Sequence, residues 1–194
     1  EDPLSALEAG VSAIVVSNHG GRVLDHTPGT AEVLPGISEL VRGRMSVFAD
    51  GGVRSGSDVL KFLALGADAV GIGTAAMIAL GCNHPRWQED YERIGSSAGF
   101  FDDYQAGNDP AGITTQDPEL SARMDPEFGG RRLANYLRVL TLEAQTIARA
   151  CGKSQLQNLE PEDLVALNVE AASMARVPLA GTEWVPELEA EDHD

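Results

Sequence analysis

The sequence predicts an α/β protein with parallel strands, and three observations lead to this class. Short apolar runs rich in β-branched residues begin near residues 13, 46 and 69, and each has the length of a buried strand. Patterns of helical period lie between these runs. The spacings of 33 and 23 residues fit β-α-β units, which form a parallel sheet covered by helices on both faces.

One connection from helix to strand occurs twice, around Gly10 and around Gly66. Each copy contains the end of a helix, the glycine, a short link and a β-branched strand. The glycine is expected there because it favours the left-handed turn that ends a helix. We expect Ser57 or Asp58 to cap the helix 57–65 at its start. The predicted elements are strand 13–16, helix 30–41, strand 46–49, helix 57–65, a strand from 69 and helix 74–80.

Three parallel strands cannot close into a barrel. Their edges would stay open, and about half of the cover for their apolar faces would be missing. We infer that the chain is the carboxyl-terminal part of a TIM (β/α)8 barrel, followed by a long loop and C-terminal helices. The chain begins with Glu1 rather than Met, and we expect the remaining strands to come from another chain or from a lost amino-terminal part.

The regular alternation stops after Ile72. Apolar residues then recur at helical spacing over Arg131–Cys151, and a further helix is predicted from Pro161 through Leu167 towards Met174. The predicted organisation is 1–80, the last three βα units of the barrel; 81–129, an irregular insertion; 130–182, C-terminal helices of the same domain; and 183–194, an acidic tail.

Composition excludes several classes of partner. The formal net charge of −16, from 14 basic and 30 acidic residues, disfavours nucleic acid and anionic membranes, since both require clustered Lys and Arg. No apolar run approaches the roughly 20 residues of a membrane span. Cys82 and Cys151 are the two cysteines, too few for a disulfide framework or a cysteine-based metal site. We therefore expect no metal and a cytoplasmic location. We also expect a homo-oligomer.

Three glycine-containing turns follow the predicted strands directly. They are Ser17-Asn18-His19-Gly20-Gly21-Arg22, Asp50-Gly51-Gly52-Val53-Arg54 and Gly71-Ile72-Gly73-Thr74. Loops at the carboxyl ends of parallel strands carry the active sites of such proteins. The second and third turns offer backbone N–H donors, a helix amino terminus and the Arg54 guanidinium, which suit a phosphate monoester. The alternative is that these glycines only shape the loops.

His19 follows the first of these strands and would open into the same cavity. A neutral imidazole there could remove a proton from a substrate carbon or hydroxyl, and Arg22 could hold a carboxylate through two hydrogen bonds. The alternatives are a hydrogen-bonded loop histidine and a surface arginine.

Over residues 5–75, these turns resemble the last three strand regions of the FMN-dependent α-hydroxy acid oxidases and dehydrogenases. The resemblance implies that His19 is the base, that Arg22 grips the substrate carboxylate and that FMN is the cofactor. Asp50 either bonds a ribityl hydroxyl or orients its turn. The cofactor-binding residues are then Ser17, Asp50, Gly51, Gly52, Val53, Arg54, Gly71, Gly73 and Thr74.

The later half instead resembles the FMN-binding domain of glutamate synthase. Thr74 stands where the oxidases usually have Arg, which is one departure from the first family. The segments that carry the second resemblance are 73–82, 110–120 and 178–182.

The synthase resemblance implies cysteines for a 3Fe-4S cluster, and the sequence lacks them. Cys82 is the single cysteine among residues 1–150, and Asp109 stands where a cysteine would precede Pro110. One thiolate cannot hold a cluster, so electrons are expected to arrive by another route, such as from the substrate. Both families place a flavin-contacting Lys on an earlier strand, so we expect this chain alone to bind flavin weakly or not at all.

The leading hypothesis is part of an FMN-dependent oxidoreductase that oxidises a 2-hydroxy acid, with His19 taking a proton. A glutamate-synthase-like reduction of a 2-imino acid is the close alternative, so the expected substrates are 2-hydroxy, 2-oxo or amino acids. Two other classes stay open: an FMN-dependent or phosphate-binding barrel isomerase, and a non-catalytic subunit that keeps the fold.

Overall fold

A computed structural model describes residues 3–186 of the chain, with the backbone but not the side chain of Arg22. The described residues form two compact units, one containing residues up to Ile72 together with those from Leu142, and the other spanning Gly73–Thr141. The α-helices are α1 (Pro3–Glu8), α2 (Thr30–Val41), α3 (Gly56–Ala64), α4 (Thr74–Leu80), α5 (Gln88–Arg93), α6 (Pro118–Ser121), α7 (Pro126–Ala150) and α8 (Val169–Ala175).

The first unit contains a three-stranded parallel sheet in the order β1-β2-β3. Its strands are β1 (Ala13–Val16), β2 (Ser46–Ala49) and β3 (Ala69–Val70). In the register, Val15 lies beside Phe48, which in turn lies beside Ala69. The predicted strand positions and parallel pairing are thereby confirmed.

The two faces of the sheet differ in burial, because successive side chains of a strand point to opposite faces. Val16, Val47 and Ala49 lie on one face and are buried, whereas on the other face Val15 is 60% exposed and Phe48 is 38% exposed. The exposed face agrees with the expectation that three strands alone lack about half of the cover for their apolar faces. The open face follows from the strand count, since these residues do not close a barrel around it.

Helices α2 and α3 bury apolar side chains next to the covered face. Leu34 and Val41 of α2 are fully buried, and α2 contacts β2. Leu60 and Ala64 of α3 form a cluster with Ala148 near the end of α7. Helix α3 in turn contacts β3.

The capping residue of α3 differs from the prediction. Ser55, rather than Ser57 or Asp58, is the N-cap, and its hydroxyl accepts a hydrogen bond from the Asp58 N–H. The Asp58 carboxylate in turn accepts from the Ser55 N–H at 3.1 Å. This reciprocal pair is a capping box, with Asp58 at its third helical position.

The continuous helix predicted from Pro161 is wrong. Residues 161–163 form a single 3-10 turn, and α8 begins only after Asn168, whose side chain accepts from the Ala171 N–H. Between them, the Ala166 N–H donates to the carbonyl of Pro178 at 2.8 Å. This non-local backbone bond replaces the bond that Ala166 would make inside a helix.

The second unit contains the stretch that sequence patterns left irregular. Residues 85–87 form a 3-10 turn, followed by α5 and α6, and α7 begins at Pro126, five positions before the predicted start at Arg131. The core of the second unit is a cluster of Cys82, Tyr91 and Phe101. None of the helices within residues 3–186 has the length and apolar character needed to cross a membrane.

Candidate active site

The turns after β1 and β2 leave the same edge of the sheet. The Asp50 N–H donates to the Val16 carbonyl at 3.1 Å, and the Gly71 N–H donates to the Ala49 carbonyl at 2.8 Å. These bonds continue the ladder one residue beyond β2 and one residue beyond β3. The parallel arrangement thus brings the loop of His19 and the turn of Gly51 to neighbouring strand ends, as β-α-β units do.

The loop after β1 is shaped by its own polar side chains. Ser17 Oγ accepts from the His19 N–H at 3.2 Å, and the chain then forms a 3-10 turn over His19–Arg22. Thr27 Oγ1 donates to Asn18 Oδ1 at 3.0 Å, which ties the loop across nine positions. His19 itself is exposed, so its imidazole is accessible to a substrate. The side chain predicted to grip a carboxylate, that of Arg22, lies outside the described part of the structure.

The turn after β2 contains two consecutive glycines with a left-handed backbone. Gly51 and Gly52 have φ values of 94° and 79°, in the left-handed region that favours glycine. Both are exposed, and a Cβ added to Gly52 would meet no atom within 4 Å. Val53 is 5% exposed, so its buried side chain anchors the turn. Successive N–H groups in such a turn form a concavity that binds anions.

The amino terminus of α3 is already occupied by carboxylates of this chain. The Arg54 N–H donates to Asp58 Oδ2 at 3.1 Å, and the Gly56 N–H donates to Glu143 Oε2 at 2.9 Å. Burial by itself raises the pKa of Asp58, but the hydrogen bonds that it accepts lower this pKa below the usual aspartate value. An anion at this edge would therefore meet the amides of the glycine turn rather than those of α3.

The turn after β3 runs from Gly71 to Thr74, the first residue of α4. Gly71 approaches the preceding turn closely, since an added Cβ would lie 3.3 Å from Asp50 Cβ. Gly73 is the N-cap of α4, with open space where a Cβ would stand, and Thr74 is the exposed first residue of that helix.

Sequence reasoning missed Thr30, the first residue of α2. Thr30 is 6% exposed, and its buried Oγ1 has no hydrogen-bond partner within the described chain. A Cβ on Gly51 would lie 3.4 Å from this oxygen. The sequence carries no signal for this contact, because 21 positions separate the two residues and the packing of α2 on the sheet brings them together.

An iron–sulfur cluster does not fit the residues present. Cys82 is 2% exposed, and burial raises the pKa of its thiol, with the Asp109 carboxylate raising it further. Both Asp109 oxygens accept backbone hydrogen bonds, from Ala111, Ile113 and Thr114, at 2.9–3.0 Å. Asp109 thus stabilises the 109–114 loop. Within residues 3–186, no three His, Cys, Asp or Glu side chains are grouped as metal ligands would be.

Comparison with known families matches both halves of the chain. Residues 1–90 match the family described as FMN-dependent dehydrogenase. Residues 104–154 match the family described as a conserved region in glutamate synthase. Both resemblances drawn from the motifs are confirmed.

Individual relatives agree with this division. The chain is 53% identical over 198 residues to a glutamate synthase large subunit-like protein of Rhizobium meliloti (strain 1021), covering 95% of this chain and 45% of that protein. It is 58% identical over 80 residues to a peroxisomal (S)-2-hydroxyacid oxidase of Arabidopsis thaliana, covering 41% of this chain and 22% of the oxidase.

The fold matches part of a solved enzyme. A mandelate oxidase structure superimposes with a TM-score of 0.55 at 29% identity, covering 82% of this chain and 36% of the oxidase. The chain therefore spans less than half the length of each of these relatives. The matching family is named for FMN. In this chain, the exposed left-handed glycines Gly51 and Gly52 fit the phosphate of that cofactor. The chain thus contains an FMN-dependent dehydrogenase region followed by a glutamate synthase conserved region, and its α/β fold with three parallel strands matches part of a mandelate oxidase.

Proposed function

We propose that this chain supplies the catalytic base and part of the cofactor site of an FMN-dependent oxidoreductase. The observation that carries the proposal is the parallel order β1-β2-β3. Because neighbouring parallel strands end at one edge, His19 and the Gly51–Gly52 turn are available to one ligand there. A base next to an anion cradle suits a cofactor that carries a phosphate.

The residues that would hold FMN are those of the turn after β2. The amides of Gly51, Gly52 and Val53 donate to phosphate oxygens, and the Arg54 guanidinium supplies the positive charge. The family resemblance adds Ser17, Asp50, Gly71, Gly73 and Thr74 to this set. When bound, FMN supplies the acceptor for the two electrons and the hydrogen that leave C2 of the substrate.

His19 acts as the general base. Its imidazole takes the proton of the C2 hydroxyl while the C2–H bond breaks and the C2=O bond forms, so that a 2-hydroxy acid becomes a 2-oxo acid. Arg22 holds the substrate carboxylate, since a guanidinium matches a carboxylate with two parallel hydrogen bonds. The exposure of His19 supports this role because the base must reach the substrate.

A second candidate is the reduction of a 2-imino acid to an amino acid. It is favoured by the extent of the match, since the relative named glutamate synthase large subunit-like covers 95% of this chain, against 41% for the hydroxyacid oxidase. The two reactions share the cofactor and differ in the substrate that exchanges electrons with it.

The open face of the sheet supports a closed barrel in the complete protein. Val15 and Phe48 would lie inside it, covered by strands from another chain or from another part of the same protein. The flavin-contacting Lys implied by the family would come from those strands.

The visible absorption spectrum of the complete protein tests the proposal. We expect a yellow flavin spectrum that bleaches without oxygen when a 2-hydroxy acid is added, or when an amino acid is added in the second case. Bound flavin that neither class of substrate bleaches would favour an isomerase. A colourless complete protein would favour a non-catalytic subunit.

Replacing His19 with Ala tests the base. We expect turnover to fall by about 10²–10⁴-fold, the usual contribution of a general base, while flavin stays bound. His26→Asn is the matched control in the same loop, because Asn tolerates the left-handed backbone of His26, whose φ is 63°. Turnover retained in the His19 variant would contradict the assigned role.

A further inference from the structure

Thr30 presents a buried hydroxyl that makes no hydrogen bond within residues 3–186. Thr30 is 6% exposed, so bulk water does not replace the missing partner. A buried donor without an acceptor destabilises a folded protein, and native structures contain few of them. Trp87, Tyr104 and Thr114 also have a buried side-chain atom without a partner among the described residues, so the inference depends on where the Thr30 hydroxyl lies.

The nearest functional feature is the glycine turn after β2. Thr30 Oγ1 lies 3.4 Å from the place that a Cβ on Gly51 would occupy. Gly51 and Gly52 are exposed, whereas Thr30 is buried. The turn thus has solvent on one side and the Thr30 hydroxyl beside its backbone on the protein side.

Peptide geometry links the two sides of the turn. The N–H and C=O of one trans peptide unit point in opposite directions. When amides of the turn face an anion at the exposed edge, carbonyls of the same peptide units face the protein, where Thr30 lies. A hydroxyl can donate to such a carbonyl.

The amino terminus of α2 provides no hydrogen-bond partner for the Thr30 hydroxyl. Its Gly29 N–H already donates to Glu32 Oε2 at 3.3 Å, so a carboxylate of the chain occupies the helix end. The Thr30 hydroxyl is a separate group on the side of Gly51.

We propose that Thr30 is a positioning residue, whose hydroxyl donates to a carbonyl of the 50–52 turn when the turn closes on the phosphate of FMN. The inference rests on the proposed function and adds a residue to the same site. Because the donor is unpaired without ligand and paired with it, the hydroxyl contributes to cofactor affinity and lowers the stability of the apoprotein.

The test compares Thr30→Val, which removes the hydroxyl at nearly constant shape, with Thr30→Ser, which keeps it. FMN and riboflavin affinities are measured by flavin fluorescence in the complete protein, and apoprotein stability is measured by urea unfolding. For Thr30→Val we expect FMN affinity to fall about tenfold, the size of one hydrogen bond. We also expect unchanged affinity for riboflavin, which lacks the phosphate, and an equal or higher urea midpoint. Thr30→Ser should restore FMN affinity.

Two results would overturn the inference while leaving the proposed function intact. One is wild-type FMN affinity in Thr30→Val. The other is a parallel loss of FMN affinity, riboflavin affinity and apoprotein stability, which would assign Thr30 to packing alone. A wild-type protein that binds no FMN would overturn the proposed function and this inference together.

Discussion

At the scale of single residues, Gly66 illustrates how a missing side chain permits a close approach. Its φ of 104° ends α3 in a left-handed turn, and Ser38 Oγ donates to its carbonyl at 2.9 Å. An added Cβ would lie 2.3 Å from Ser38 Oγ and 2.7 Å from Ser38 Cβ. Both the backbone conformation and the contact with α2 therefore require glycine.

Replacing Gly66 with Ala should destabilise the protein more than the same change at Gly10. Gly10 has a φ of 75°, and an added Cβ there would meet nothing within 4 Å, so Gly10→Ala adds only backbone strain of about 1 kcal/mol. Gly66→Ala adds a steric clash, and we expect a total loss of about 2–4 kcal/mol. Urea unfolding of the two variants measures the difference. Equal losses would contradict the steric part.

Some residues of the candidate site can be identified from the sequence, and others cannot. His19 and the glycines of the 50–54 turn were identified from their positions directly after β-branched runs, because the end of a parallel strand can be inferred from sequence. Thr30 could not be identified in this way. Its contact with Gly51 depends on how α2 packs across the sheet, and no local pattern encodes that distance.

At the scale of elements, the Asp58 carboxylate stabilises the start of α3. Asp58 accepts hydrogen bonds from the backbone of Arg54 and Ser55 at 3.1 Å each, and from Ser55 Oγ at 2.9 Å. The bond from the N-cap Ser55 satisfies one of the N–H groups that a helix leaves unpaired at its start, and the bond from Arg54 ties the preceding residue to the helix. Since the turn after β2 leads directly into α3, the cap also holds the end of that turn.

Replacing Asp58 with Asn should destabilise the protein at pH 7 by about 1 kcal/mol, the usual value of a capping interaction. The folded-state pKa of Asp58 is lowered, so its charged form stabilises the fold above the unfolded pKa of about 3.9. This contribution is lost as the pH falls through the folded pKa. The stability difference from wild type should therefore shrink below about pH 4.

Urea unfolding between pH 3 and pH 7 measures this dependence. Asp25→Asn, a change at an exposed carboxylate in the loop after β1, is the control for net charge. A difference for Asp58→Asn that stays constant down to pH 3 would show that the carboxylate charge is not what stabilises the cap.

The C-terminal elements show why a local pattern misled prediction. Pro161, Glu162 and Asp163 have the composition of a helix start, and the structure does form one 3-10 turn there. The chain then leaves the helix because Ala166 pairs with residues near Leu179. A backbone bond to a segment 13 positions away cannot be inferred from helix propensity.

At the scale of the whole molecule, one face of the sheet exposes apolar side chains that this chain does not cover. Val15 and Phe48 are neighbours across β1 and β2, and both are large apolar residues left exposed within this chain. In the proposed barrel, additional strands would bury them and complete the cofactor site.

Replacing Val15 with Asp in the complete protein tests that assignment. If Val15 stays exposed, the change should alter stability by less than about 0.5 kcal/mol, as most surface changes do. If the face lies inside a barrel, a buried unpaired charge should cost about 3 kcal/mol or more. We expect the larger loss, seen as a lower thermal unfolding midpoint together with loss of bound flavin. Leu167→Asp, at a residue 87% exposed, is the control.

The sequence by itself determined the fold class, the order of the three βα units and the two family resemblances. Strand and helix periods and glycine turns are local patterns, and the residues that carry them are adjacent in the chain. Only the tertiary structure decided which face of the sheet is covered, that Glu143 accepts a hydrogen bond from the Gly56 N–H at the start of α3, and where Thr30 lies. These features depend on contacts between distant segments, whose geometry is set by side-chain packing that no single stretch of sequence specifies.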